Sequence, residues 1–163
     1  MTSVTTDPTD LDRTRLDAAL RLAHDTLAAG NKPFGAVLVA ADGRVLATGR
    51  NTVAQTGDPT SHAELEAVRA VTTADRPDVV GATMYASGEP CPMCAAALVW
   101  SGVARIVFGT AAADIRAVAP GPPGFTLRCA DVAAAAAEAT VDVVGPLLGD
   151  EGLEPFRRHR AEH

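Results

Sequence analysis

The chain has too few cysteines for a disulfide scaffold, too few basic residues for a nucleic-acid surface, and no apolar run long enough for a membrane. Its three cysteines are an odd number, and two of them, Cys91 and Cys94, share one Cys-x-x-Cys. Without a secretory leader, such usage points to a reducing compartment, so a cytoplasmic location is expected. Residues 1–10 (MTSVTTDPTD) are polar and carry no apolar signal core. Nothing approaches the roughly 20 apolar residues that cross a bilayer. Acidic residues outnumber basic ones by 20 to 14, the net charge is −6, and Lys32 is the single lysine. Such a chain has no general attraction for a phosphate backbone, so nucleic acid is not an expected partner. The one basic cluster, Arg157, Arg158 and Arg160, reads as a solvated last helical turn. Internal repeats are also missing.

What is present suits one domain over residues 1–163. A chain of this length buries roughly 70% of its unfolded surface without staples. Leu11, Leu16, Ala19, Leu20, Ala23 and Leu27 recur at helical spacing over 10–29, and Gly30 ends the run. Strands are expected at 35–41 and 44–50, paired as a hairpin around Asp42-Gly43. A helix follows at 62–73, a strand at 82–87, a helix at 92–101 opened by Pro92 and stopped by Gly102, and a strand at 104–109. The stretch 109–128 contains APGPPG and reads as a loop, lid-like in its small residues. Ala133–Ala137 suits a helix, 139–144 a strand and 146–160 a last helix. Helices alternating with short apolar strands indicate a three-layer α/β/α sandwich around a mixed sheet.

The chemistry concentrates in two short motifs. His62-Ala63-Glu64 opens one predicted helix, and Pro90-Cys91-Pro92-Met93-Cys94 opens another. Two thiolates and an imidazole are good zinc ligands. Cys91 and Cys94, three apart at a helix start, can point the same way. Structural zinc is closed by four protein ligands, whereas catalytic zinc keeps a position for water. Here the motifs offer three, and Cys129, which belongs to neither, reads as a small core residue. A carboxylate at Glu64 beside that open position is what hydrolysis needs, to move protons from water to substrate. A redox Cys-x-x-Cys would leave His62 and Glu64 unexplained.

This pairing of H-x-E with P-C-x-x-C resembles the cytidine/deoxycytidylate deaminase superfamily, in the branch of guanine, cytosine and tRNA adenosine deaminases. The resemblance covers about 33–109, through PFGAVLV, the Asn51 position, DPTSHAELEAVRA and ATMYASGEPCPMCAAALVWSG. It implies a five-stranded mixed sheet, Zn²⁺ held by His62, Cys91 and Cys94, catalysis by Glu64, and a homodimer. The implied reaction is hydrolytic removal of an amino group from a small nucleobase or nucleoside, guanine or a related aminopurine leading. Alternatives are a tRNA adenosine deaminase, a cytosine or nucleoside deaminase, and a silent zinc-binding interaction module. Asn51 is expected to touch base or ribose, or else to turn the chain. The Ala63 N–H is a further candidate contact. Phe34 suits either a stacking platform or the core. Asp114 is an acidic candidate, although Gly124-Phe125 is followed by Thr126 and Leu127 where guanine deaminases continue with two aspartates. Trp100, in an apolar helix, reads as core. His24, His159 and His163 read as solvated.

Overall fold

The computed structural model describes residues 8–163. The polar start read for residues 1–7 lies outside the described residues. Helix α1 (Asp10–Ala28) opens with a reciprocal cap: the Thr9 hydroxyl accepts the Asp12 N–H, and the Asp12 carboxylate accepts the Thr9 N–H. Then follow β1 (Gly35–Val39), β2 (Val45–Arg50), the short α2 (Val53–Thr56), α3 (Ala63–Ala70), β3 (Thr83–Gly88), α4 (Pro92–Ser101) and β4 (Arg105–Thr110). The chain continues with α5 (Ala112–Val118), α6 (Cys129–Ala134), β5 (Asp142–Val144) and α7 (Asp150–Glu162).

The five strands form one mixed sheet in the order β2-β1-β3-β4-β5. β1 is antiparallel to both its neighbours, while β3, β4 and β5 run parallel. Strand alternation sorts side chains to two faces. Ala36, Leu38, Met84 and Ile106 pack with Ala63 and Ala67 of α3, Ala95 and Leu98 of α4, and Cys129 of α6. Val37, Val39, Tyr85 and Val107 pack with Leu16 and Ala19 of α1 and with Leu148 before α7. This is the expected three-layer sandwich, and Cys129 is indeed fully buried.

Two glycines set the layer spacing. A Cβ on Gly49 would lie 1.9 Å from the Ala63 carbonyl oxygen, and one on Gly35 would lie 2.3 Å from that of Ala19. Only glycine lets the start of α3 sit this close to β2.

Beyond β4 the expectations need correction. The predicted loop at 109–128 contains α5. The helix placed at Ala133–Ala137 comes earlier, at α6, where the Asp131 carboxylate accepts the Arg128 N–H and starts the turn. The strand at 139–144 shrinks to β5. The last helix starts at Asp150, not 146, because the N–H groups of Leu147 and Leu148 are donated to the carbonyls of Phe108 and Gly109. Trp100 is not core: it is 88% exposed. His159 is half-buried, not fully solvated.

A buried ionic network ties the start of α1 to the sheet. The Arg105 guanidinium donates to both Asp12 oxygens at 2.6 and 3.1 Å, and the Tyr85 hydroxyl donates to Asp12 at 2.9 Å. Burial alone would raise the Asp12 carboxyl, but the bonds from Arg105, the Thr9 N–H and Tyr85 outweigh it and hold it at about 2, below its ordinary 3.8. Asp12 thus stabilises the fold above about pH 4, and that contribution is lost as the pH falls towards 2. Asp12→Asn should flatten the acid limb of a stability-versus-pH curve. Arg105→Ala should cost about 3 kcal/mol in urea unfolding at neutral pH, because it strands a buried carboxylate.

Candidate active site

Helices α3 and α4 pack side by side on one face of the sheet, and their starts carry the motif residues. His62 is the N-cap of α3 and Cys91 the N-cap of α4, yet neither side chain caps its own helix. Both turn to a common point instead. His62 Nδ1 lies 3.5 Å from Cys91 Sγ and 3.6 Å from Cys94 Sγ, and the three donor atoms lie within 4.8 Å of one another.

These distances suit a tetrahedral metal. Zn–S bonds near 2.3 Å and Zn–N bonds near 2.0–2.1 Å imply N–S edges of about 3.6 Å. Ionisation of the thiols argues the same way. The hydrogen bond from Cys94, assisted by His62, holds Cys91 down at about 4 against its burial. Cys94 is pushed up by the same pairing, by its own burial and by Glu64. Two sulfurs this close cannot both lose protons unless a cation stands between them, and zinc is such a cation. Cys129 is outside the group, so three protein donors leave a fourth position open.

Glu64, in the first turn of α3, is only 5% exposed. Burial raises its carboxyl above the ordinary range, helped by the negative Cys91 and opposed by its own N–H and by His62. Ala63 is fully buried as the first helical residue, a position whose N–H has no partner within the helix. Asn51 is buried, and its Oδ1 accepts the Val53 N–H at 3.2 Å. That bond turns the chain, so the turn-forming role is present. Phe34 is half-buried and meets Phe156 of α7 edge-on at 5.0 Å between ring centroids. Asp114 lies in the first turn of α5, exposed, and is not gathered with His62, Cys91 and Cys94.

Three residues beside the site had escaped the motif reading. Phe34 and Ile115 converge where a Cβ on Gly88 would stand, at 2.8 and 3.1 Å. Phe156 backs Phe34 from the far end of the chain. The buried Glu89 accepts the Ala112 N–H at 3.0 Å and the Cys129 N–H at 3.1 Å. Long-range contacts of this kind leave no periodic trace, but Ala111, a helix cap with no polar side chain, was a hint that a partner comes from elsewhere. A separate groove of about 480 Å³, lined by Arg15, Arg21 and His24 of α1 with Val37, Val45 and Thr48, includes none of the motif residues.

Residues 9–110 match the family model described as the cytidine and deoxycytidylate deaminase zinc-binding region. The chain belongs to this family. It is a zinc-dependent hydrolytic deaminase. A probable cytosine deaminase of Schizosaccharomyces pombe is 32% identical over 93% of this chain and 94% of its own. A guanine deaminase of Bacillus subtilis is 42% identical over 54% of this chain and 57% of its own, and a tRNA-specific adenosine deaminase of Haemophilus influenzae is 37% identical over 61% and 58%. The chain thus spans less than two thirds of the latter two. A solved structure of a guanine deaminase from Nitrosomonas europaea superposes with a TM-score of 0.74 at 25% identity, over 90% of this chain and 83% of that one. Among the described residues no helix is long and apolar enough to cross a membrane.

The donor set predicts one zinc per chain. Elemental analysis of Cys91→Ala should show strong depletion, and the variant should melt below the wild type because α3 and α4 lose their common tie. Full retention of zinc would remove Cys91 from the donor set.

Proposed function

We propose that the protein hydrolyses the exocyclic amino group from a free amino-base, guanine or a related aminopurine first, releasing ammonia. The observation that carries this is the three-donor cluster of His62, Cys91 and Cys94 with the buried Glu64 close enough to interact with all three. Zinc, when bound there, supplies a Lewis acid that makes water a usable nucleophile near neutral pH. Glu64 takes one proton from water and hands it to the ring nitrogen, then takes the second from the hydroxyl newly joined to the ring carbon and gives it to the amine as the C–N bond breaks. Burial keeps its carboxyl ready to hold a proton between those steps. Asn51 and the Ala63 N–H orient the base, with Phe34 along its edge.

A free base is favoured over RNA by what surrounds Phe34. Phe156 of α7 and Ile115 of α5 crowd it, and the Arg160 guanidinium donates to the Val118 carbonyl at 3.5 Å, joining α7 to the end of α5. That enclosure and the net charge of −6 suit a small neutral ligand better than a phosphate-rich stem-loop. A second reading, cytosine, rests on the fission-yeast relative, which aligns with nearly the whole chain. The location we propose is cytoplasmic.

The test is an ammonia assay on guanine, cytosine, cytidine and adenosine beside an inosine assay on an anticodon stem-loop. Guanine should react fastest. Inosine formation with every free compound inert would replace this reading. Glu64→Ala should keep zinc and lose about 10²–10⁴-fold in kcat or more, since one group serves several transfers.

We also propose a homodimer through α4. Met93, Ala96, Ala97 and Trp100 form one stripe on that helix, and Trp100 at 88% and Met93 at 36% are exposed. The 71%-exposed Val80 reaches the C-cap Gly102 and extends the patch. Large apolar side chains left open together mark an interface. Light scattering at micromolar concentration should give a dimer for the wild type and a monomer for Trp100→Glu. A monomeric wild type would refute this.

A further inference from the structure

Glu89 stands between two parts of the molecule that the deaminase reading treats separately. Its backbone N–H donates to the Thr110 carbonyl at 2.8 Å, continuing the β3–β4 pairing beyond Gly88. Two residues later the chain reaches Cys91. The Glu89 side chain is 4% exposed and uses its oxygens on different helices. Oε2 accepts from Ala112, the first residue of α5, and Oε1 accepts from Cys129, the first residue of α6. Neither helix is capped at that position by its own polar side chain. The Arg128 Nε lies 3.8 Å from Oε1 and screens the carboxylate from outside.

The consequence is geometric. Residues 112 and 129 are the two ends of one excursion that leaves the sheet after β4 and returns at α6. Between them lie α5, with Asp114 and Ile115, and the exposed stretch 120–128. Ile115 is three residues from the bonded Ala112 and meets Phe34 over Gly88. Nothing else within this excursion reaches a buried charged group, and its middle is rich in Pro and Gly. Both ends of the excursion are therefore tied to one carboxylate, with the Arg160–Val118 bond as a second hold on the far end of α5.

We propose that Glu89 is a positioning residue for the deamination: it holds both ends of the 112–129 excursion against the turn that carries Cys91, and so fixes the wall the substrate meets beside Phe34. Glu89 itself touches no reacting atom. A carboxylate is required because the two N–H donors need two acceptors. Glutamine offers one oxygen and sets an N–H group against the other donor, so it holds one end only. Alanine holds neither. The proposal rests on the deaminase reading of the site.

Amide hydrogen exchange and kinetics on zinc-loaded protein test it together. Glu89→Gln should lose protection at one of the two amides, Ala112 or Cys129, by about tenfold or more, and Glu89→Ala at both. Trypsin should cut after Arg116 and Arg128 faster in the same order. With guanine as substrate, KM should rise about tenfold in Glu89→Ala and less in Glu89→Gln, with kcat within about threefold of the wild type and zinc at one per chain. A purely structural role would lower the melting temperature and leave KM of the folded protein alone. Unchanged protection at both amides overturns the proposal, as does fast exchange with unchanged KM, or loss of zinc from Glu89→Gln. If Glu89→Ala does not fold, Glu89→Gln alone decides by its one-ended pattern. If the wild type leaves guanine untouched, the choice of guanine falls, KM is read on cytosine instead, and the exchange pattern still judges Glu89.

Discussion

Two sulfurs and an imidazole nitrogen brought within 4.8 Å in a largely buried place make an arrangement that wants a cation. Without one, the pair of thiols keeps a proton that neither can release cheaply, as the opposite displacements of Cys91 and Cys94 show. With one, the starts of α3 and α4 are joined by bonds stronger than any packing contact between them. Much of the local design serves that meeting. Gly49 lets α3 approach β2, which sets His62 and Glu64 at the level of the strand ends. Pro92 preorganises the first turn of α4, and Gly102, at φ 84°, ends it.

The same meeting explains why the caps look unsatisfied. An N-cap side chain ordinarily accepts an N–H from its own first turn. His62 and Cys91 decline that role and face each other. The helix starts then turn their partial positive charge towards the place where thiolate and carboxylate gather. Glu64 gains from this as well. Its position in the first turn of α3 brings it within reach of the same point, although two residues from His62 it could never share a helix face with it.

How far the sequence could be read follows from the range of the interactions involved. Apart from the one-turn α2, the elements up to β4 were legible because local chemistry marks them: Gly30 after the first helix, the Asp42-Gly43 turn, Pro92 and Gly102. The metal cluster was legible because its spacing is fixed along the chain. After Gly109 that logic fails. α5 begins at an alanine and takes its capping acceptor from Glu89, more than twenty residues away. β5 is three residues long and exists only because β4 offers it an edge. The start of α7 is delayed by backbone donors spent on Phe108 and Gly109. Trp100 was misread because periodicity shows that a helix is apolar all round, not which of its sides this chain covers.

The site is therefore unequal in its construction. Its chemical half, on α3 and α4, is held by covalent spacing, close backbone packing and a metal, and tolerates little variation. Beside it stands a wall assembled from distant parts: Phe34 before β1 and Ile115 on α5 meet over Gly88, and Phe156 on α7 backs Phe34. None of these three is polar, so they shape a space without naming the ligand that fills it. The family model that takes in the metal donors and Glu64 ends at residue 110, and members described as acting on cytosine, guanine and tRNA adenosine all match this chain. On the function we propose, a change of substrate works through that wall, and the lever with the longest reach on it is whatever fixes α5 and α6 to the strand ends. Substrate choice, on that same proposal, lies in the segment after β4, where this chain departs from the aspartate pair expected of guanine deaminases.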